Sequence, residues 1–187
     1  MTDTEIAWVV VLAVALFWSV GAYNRLMRLR ALAIAAFSAL DRQLGHYVVL
    51  VDEHLKAASG LALAQAVAAP RSAGPATAWA GLQGASTQFE ASLRVARKQV
   101  LDAGAMAALQ TAHATLQMSW ARVQDEGRDY QDLLSPMGRQ QWTENARLAT
   151  HAMAGFNHAV LAYNAAVTQF PALVLAYLFS FRPAGCL

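Results

Sequence analysis

The chain has 187 residues, a formal net charge of +2, and is 57% hydrophobic but only 14% charged. That balance excludes a disordered polyelectrolyte, and so few dispersed cations exclude the clustered basic footprint of a nucleic-acid binder. A single cysteine, Cys186, excludes an intramolecular disulfide and any thiolate-built metal site.

Residues 6–24 (IAWVVVLAVALFWSVGAYN) contain no Asp, Glu, Lys or Arg. As a helix they cover about 28 Å, close to the hydrocarbon thickness of a bilayer. The run therefore predicts a transmembrane helix, with the lipid bilayer as its partner. Only Asp3 and Glu5 precede it, while Arg25, Arg28 and Arg30 follow at once. Basic flanks stay on the cytoplasmic side, so the N-terminus is expected outside and the rest of the chain inside. Trp8, Trp18 and Tyr23 sit near the ends of the run, as interfacial anchors do. The competing reading is a cleaved export signal with Val20-Gly21-Ala22 as its cleavage site. An acidic start and an Arg cluster beyond the site both speak against it.

Leu26, Leu29, Ala33, Phe37, Leu40, Leu44, Val48, Val51 and Leu55 step by three or four residues and predict an amphipathic helix. No proline interrupts residues 6–56, so the span is free to continue into this helix. Residues 57–84 are Ala-rich and hold Pro70, Pro75, Gly60, Gly81 and Gly84, which predicts a loop near 69–76 flanked by short helix. Trp79 is the large residue expected to pin this stretch to the core. Phe89, Leu93 and Val100 predict a helix over 86–102. Met106, Leu109, His113, Leu116, Trp120 and Val123 predict another to about 133. Ser135-Pro136-Met137-Gly138 marks a second loop near 134–138. Trp142, Ala149, Ala152, Phe156, Val160, Tyr163, Val167 and Phe170 predict the last long helix, closed by Pro171. The stretch 172–181 (ALVLAYLFSF) has about half the length of a span, and is expected either to pack as a lid or to lie on the membrane interface. The fold class is all-α, an N-terminal transmembrane helix followed by an antiparallel helical bundle. Its divisions are an anchor over 1–24, a bundle over 25–182 and a tail over 183–187.

No catalytic constellation stands out. His151 and His158 are seven apart, with Glu144 seven before them, whereas a helical metal pair needs a spacing of three or four. His113 lies within an apolar stripe and reads as a hydrogen-bonded core histidine. The carboxylates Asp125, Glu126, Asp129 and Asp132 are interleaved with Arg122 and Arg128, which suits helical ion pairs. There is no phosphate-binding glycine loop and no nucleophile motif. The chain is read as a non-enzyme without metal or cofactor.

An aromatic-Asn step recurs at Tyr23-Asn24, Phe156-Asn157 and Tyr163-Asn164. Asn157 and Asn164 share a helix face, so they are expected to hydrogen-bond to the first soluble helix and fix its register. The block Tyr23-Asn24-Arg25-Leu26-Met27-Arg28-Leu29-Arg30 is followed by Phe37, Asp41, Gln43 and Leu44. Farther on come Glu144-Asn145, Phe156-Asn157, Val160, Tyr163-Asn164, Val167, Phe170-Pro171 and Phe179-Ser180-Phe181. In this order, behind an apolar run, these residues resemble the bacterial LemA family over about 20–55 and 143–182. The middle of the chain does not follow that pattern. The resemblance implies a membrane-anchored, antiparallel helical bundle with no established catalysis. The span, the basic flank and the absence of a catalytic constellation then lead to the expected function, a bacterial inner-membrane scaffold or adaptor for a protein partner that the sequence does not name. The alternative function is an exported helical sensor or binding module released from its signal.

Overall fold

The computed structural model describes residues 3–66, 74–129, 135–170 and 172–187. It is helical throughout, with five helices and no strand among the described residues. The expected loop centred on 69–76 falls largely outside them, as do Pro171 and much of the expected break before Ser135.

Helix α1 (Asp3–Ala66) is a single unbroken helix of 64 residues, about 96 Å long. It has two halves of different character. Over residues 7–18 every side chain is exposed. This is the one helix among the described residues that alone is long and apolar enough to cross a membrane. From Leu26 onward the helix turns a seam inward: Leu26, Ala33, Phe37, Leu40, Leu44, Tyr47 and Val51 are buried. From Ala33 the steps alternate four and three, an average of 3.5 residues, which keeps one stripe facing its neighbour along a long helix. The sequence reading stepped from Leu44 to Val48. The seam instead needs a step of three, and so buries Tyr47 and leaves Val48 half-exposed.

Helix α2 (Gly74–Lys98) starts a dozen residues before the expected 86. Pro75 falls in the first turn, where its missing N–H removes no helical bond. Gly81 and Gly84 each cost a helix about 1 kcal/mol, but burial of Ala78, Trp79 and Leu82 between and beside them outweighs that cost. The helix ends at Lys98 rather than 102, because Asp102 serves as the cap of the next one, accepting from Ala105 N at 2.8 Å. Helix α3 (Ala103–Asp129) follows, with Met106, Leu109, Ala112, Leu116, Trp120 and Val123 buried.

Helix α4 (Pro136–Thr168) begins inside the stretch expected to be a loop. Ser135 caps it, accepting from Gly138 N at 3.0 Å, and Pro136 opens the first turn. Gly138 also allows a close approach, since a Cβ there would collide with the His54 imidazole. Along α4, contacts to α1 run from Trp142 against Tyr47, through Asn145 and Gln43, to Phe156 against Phe37, and just past its end Phe170 meets Trp18. Helix α5 (Ala172–Leu178) leaves α4 at 91°. Its cap is Ser180, at φ 55, with Phe181 N donating to Ala176 O at 2.9 Å.

Within residues 183–187, Ala184 and Gly185 pack against the helices while Pro183 and Cys186 are exposed. Ala184 is buried, and Gly185 lies so close to α3 that a Cβ would stand 2.8 Å from the Ala103 Cα. Only glycine fits there without a shift of backbone.

Candidate membrane-border site

The end of the apolar half of α1 is ringed by aromatic side chains. Trp18 meets Phe170 at 5.7 Å, Tyr23 meets Phe179 at 5.5 Å, and Phe181 lies 6.3 Å from Tyr23. The Arg30 guanidinium sits 6.0 Å from the Phe181 ring centre, a cation–π distance. Trp8, at the far end of the apolar half, is 66% exposed. Arg25, Arg28 and Arg30 all point outward, one turn or more beyond Trp18. Asn24 is exposed too, and its side chain has no hydrogen-bond partner among the described residues.

Helix α5 completes this collar. Its small residues Ala172 and Ala176 turn inward, whereas Leu173, Val174, Leu178 and the 91%-exposed Tyr177 turn out. A lid burying its large side chains would do the reverse. Together with Phe170 and Phe179, also exposed, these residues extend the apolar surface of α1 sideways.

Asn157 and Asn164 do not reach α1. The face of α4 turned to α1 carries Phe156, Val160, Tyr163 and Val167, and the two amides lie one step round the helix. There they hold the C-terminal segment by its backbone. Asn164 Nδ2 donates to Ala184 O at 2.9 Å, and Ala184 N donates back to Oδ1 at 2.7 Å. Asn157 repeats the pattern on Leu187, at 2.6 and 2.9 Å. The spacing explains why this works: seven helical residues rise about 10.5 Å, and three extended residues span about 9–10 Å. Tyr163 adds a bond from its hydroxyl to Arg182 O at 3.2 Å. Burial pushes the Tyr163 phenol up in pKa, so it stays a donor near neutrality. The amide that does cross to α1 is Asn145, which donates to Gln43 O at 3.3 Å. Sequence reasoning quoted Asn145 but gave it no role. Its position on the buried 3.5-residue seam was the available signal. Asn164→Ala is expected to cost about 1–3 kcal/mol in denaturant unfolding of the full-length protein, because it strands both polar groups of Ala184. A loss below about 0.5 kcal/mol would mean that the clamp contributes nothing.

Between the helices lies a polar-aromatic cluster, with Tyr47 and Trp142 buried and His113 and Gln117 half-buried. Trp142 Nε1 donates to Gln117 Oε1 at 3.1 Å. An indole N–H can only donate, which fixes the amide orientation and turns Gln117 Nε2 toward His113 Nε2, 3.1 Å away. That ring nitrogen must then accept, so His113 is held neutral. Burial pushes its pKa down in the same direction. Tyr47 is the fourth member. Burial raises its hydroxyl pKa, and a hydrogen bond with Gln117 offsets part of the rise. The core-histidine reading of His113 thus has its partners. Because the folded state favours neutral His113, stability is expected to be full above about pH 6.5 and to fall as pH drops toward the lowered folded value. His113→Gln should flatten that decline between pH 7 and 5 in denaturant midpoints. An unchanged slope would contradict it.

The weaker sequence candidates do not converge. Glu144 pairs with Arg147 at 2.7 Å, which holds its carboxyl below the usual range, and His151 and His158 are exposed. Among the described residues no group of three or more His, Cys, Asp or Glu is placed to hold a metal ion. The side chains of Glu126 and Asp129, and the whole of Asp132, lie outside the described residues. Comparison of the chain with protein-family models, curated proteins and solved structures gave no match.

Proposed function

We propose that this is a single-span membrane protein of LemA type, whose helices α1–α4 form an antiparallel bundle serving as a scaffold or adaptor for another protein. The observation that carries the reading is the change of character within α1. One unbroken helix passes from an uncharged stretch, fully exposed over residues 7–18, into a buried seam, with arginines as the charged residues at the junction. A rigid join of this kind holds a helical domain at a fixed height above a bilayer. The antiparallel sense is supported by the contacts between α1 and α4, which take falling residue numbers on one against rising numbers on the other. The basic flank supports a cytoplasmic domain and an outside N-terminus, and the family resemblance supports a bacterial inner membrane. The outward apolar face of α5 would then rest on the bilayer surface. The reading assigns no catalysis and no cofactor.

The exported-module alternative fares worse on one point. Cleavage after Ala22 would remove Trp18 and its contact with Phe170. Alkaline extraction of membranes, followed by N-terminal sequencing, separates the two. Full-length protein retained in the pellet, with residues 6–24 intact, is the expected result. Release of a chain beginning at Tyr23 would overturn the anchor.

A further inference from the structure

The border of the span contains a cleft of about 410 Å³ between α1, the end of α4 and the start of α5. Phe17, Trp18, Gly21, Arg25, Gln169 and Phe170 are among the residues that line it. From these we infer that the cleft binds one anionic phospholipid, headgroup phosphate at Arg25 and acyl chain along Phe17, Trp18 and Phe170. The inference rests on the membrane-anchor reading and adds a specific ligand to it.

Three observations converge on this ligand. The first is depth. Phe17 to Arg25 is eight residues, about 12 Å along the helix, so the cleft runs from the uncharged span into the basic flank. The interfacial layer of a leaflet is about 5–8 Å thick, so such a cleft reaches both the upper acyl chain and the phosphate. The second is the state of the polar groups. Arg25 is exposed and has no ion-pair or hydrogen-bond partner among the described residues, and Gln169 brings an amide to the same cleft. A guanidinium fork matches two phosphate oxygens, and an amide donor can take a third. The third is the local field. Neither residues 6–40 nor residues 145–187, the stretches of chain on either side of the lining residues, contain a single Asp or Glu, while Arg25, Arg28, Arg30, Arg147 and Arg182 lie there. Nothing nearby on these elements opposes an anion, and low-dielectric walls strengthen its attraction. A zwitterionic lipid would bring its ammonium group into the same positive field and gain less.

Gly21 supplies the sharpest test. A Cβ at this position meets nothing within 4 Å, so a larger side chain enters the cleft without displacing protein. Full-length protein, in detergent, is equilibrated with phosphatidylglycerol or phosphatidylcholine, and retained lipid is counted by native mass spectrometry. One phosphatidylglycerol per chain is expected, in preference to phosphatidylcholine. Gly21→Leu should abolish its retention, and Arg25→Gln should weaken it about tenfold, the loss of one charge-assisted contact. Arg94→Gln, on the distant helix α2, is the charge-matched control and should retain the lipid. Equal retention of the two lipids, or full retention by Gly21→Leu, would overturn the proposal. Displacement by inorganic phosphate would overturn it as well, by showing an anion site indifferent to the acyl chain. If alkaline extraction leaves the protein in the membrane while lipid preference is absent, the cleft assignment fails and the anchor stands.

Discussion

Truncating Trp120 to alanine is expected to cost about 3–5 kcal/mol of folding free energy, the range for deleting a large buried aromatic side chain. Trp120 is 2% exposed and stacks on Trp142 with ring centres 4.1 Å apart and 10° between planes. His54 presents its ring nearly perpendicular, 5.2 Å away. A cavity here would undo contacts among α1, α3 and α4 together, so little of it can close by local relaxation. A second substitution separates packing from hydrogen bonding. Trp120 Nε1 is buried without a partner among the described residues, so Trp120→Phe loses area but no bond. Trp142→Phe loses the bond to Gln117 and leaves that half-buried oxygen without its indole donor. Trp142→Phe should therefore be the more costly by about 1 kcal/mol or more. Denaturant unfolding followed by circular dichroism reads the difference. The opposite ranking would show that the cluster is held by packing alone.

Placing two arginines in the span should have an effect at least as large. Leu12 and Leu16 lie near the middle of the uncharged run, exposed along α1. Nine Val, Ile, Leu or Phe side chains in residues 6–24 each favour a bilayer by about 0.3–0.6 kcal/mol, a few kcal/mol together. Each Leu→Arg change reverses a favourable contribution and adds a penalty of about 2.5–3.5 kcal/mol at the helix centre. The double variant Leu12→Arg, Leu16→Arg thus moves insertion from favoured to disfavoured, and should appear in the alkaline-soluble fraction. The helical domain should keep its unfolding midpoint, because neither side chain touches it. Continued membrane retention would show that α5 and the aromatic collar, rather than residues 6–24, hold the chain to lipid.

The elements whose signal is local were readable in the sequence. The uncharged run that forms the exposed start of α1 is such a signal, and so is the stripe from Leu26 to Val51 apart from one step. That step mattered, because it hid Tyr47, whose ring meets Phe89, His113 and Trp142 and so sits at the centre of the polar-aromatic cluster. Two successive steps of four, from Leu40 through Leu44 to Val48, drift off a seam that a long helix keeps at 3.5. The starts of α2 and α4 differ from the expected ones because a proline that breaks a helix interior is accommodated in a first turn. Pro75 and Pro136 occupy first turns, and Ser135 before Pro136 was a cap signal in plain view. The partner of Asn157 and Asn164 was not readable at all. An extended segment such as Pro183-Ala184-Gly185 has no periodicity, and nothing local ties it to two amides some twenty to thirty residues away. The cleft at Arg25 likewise forms only when the end of α4 meets α1, although each arginine and aromatic residue at its rim was visible beforehand.

The central claim, a helical domain held on the cytoplasmic side by residues 6–24, has a natural probe. Cys186 is the chain's one cysteine, and it is exposed. A membrane-impermeant maleimide added to intact cells should leave it unlabelled, and should label it once the inner membrane is permeabilised. In a Thr2→Cys, Cys186→Ser variant the pattern should reverse, with labelling from outside in intact cells. Labelling of the native Cys186 without permeabilisation would place the helical domain outside and contradict the account.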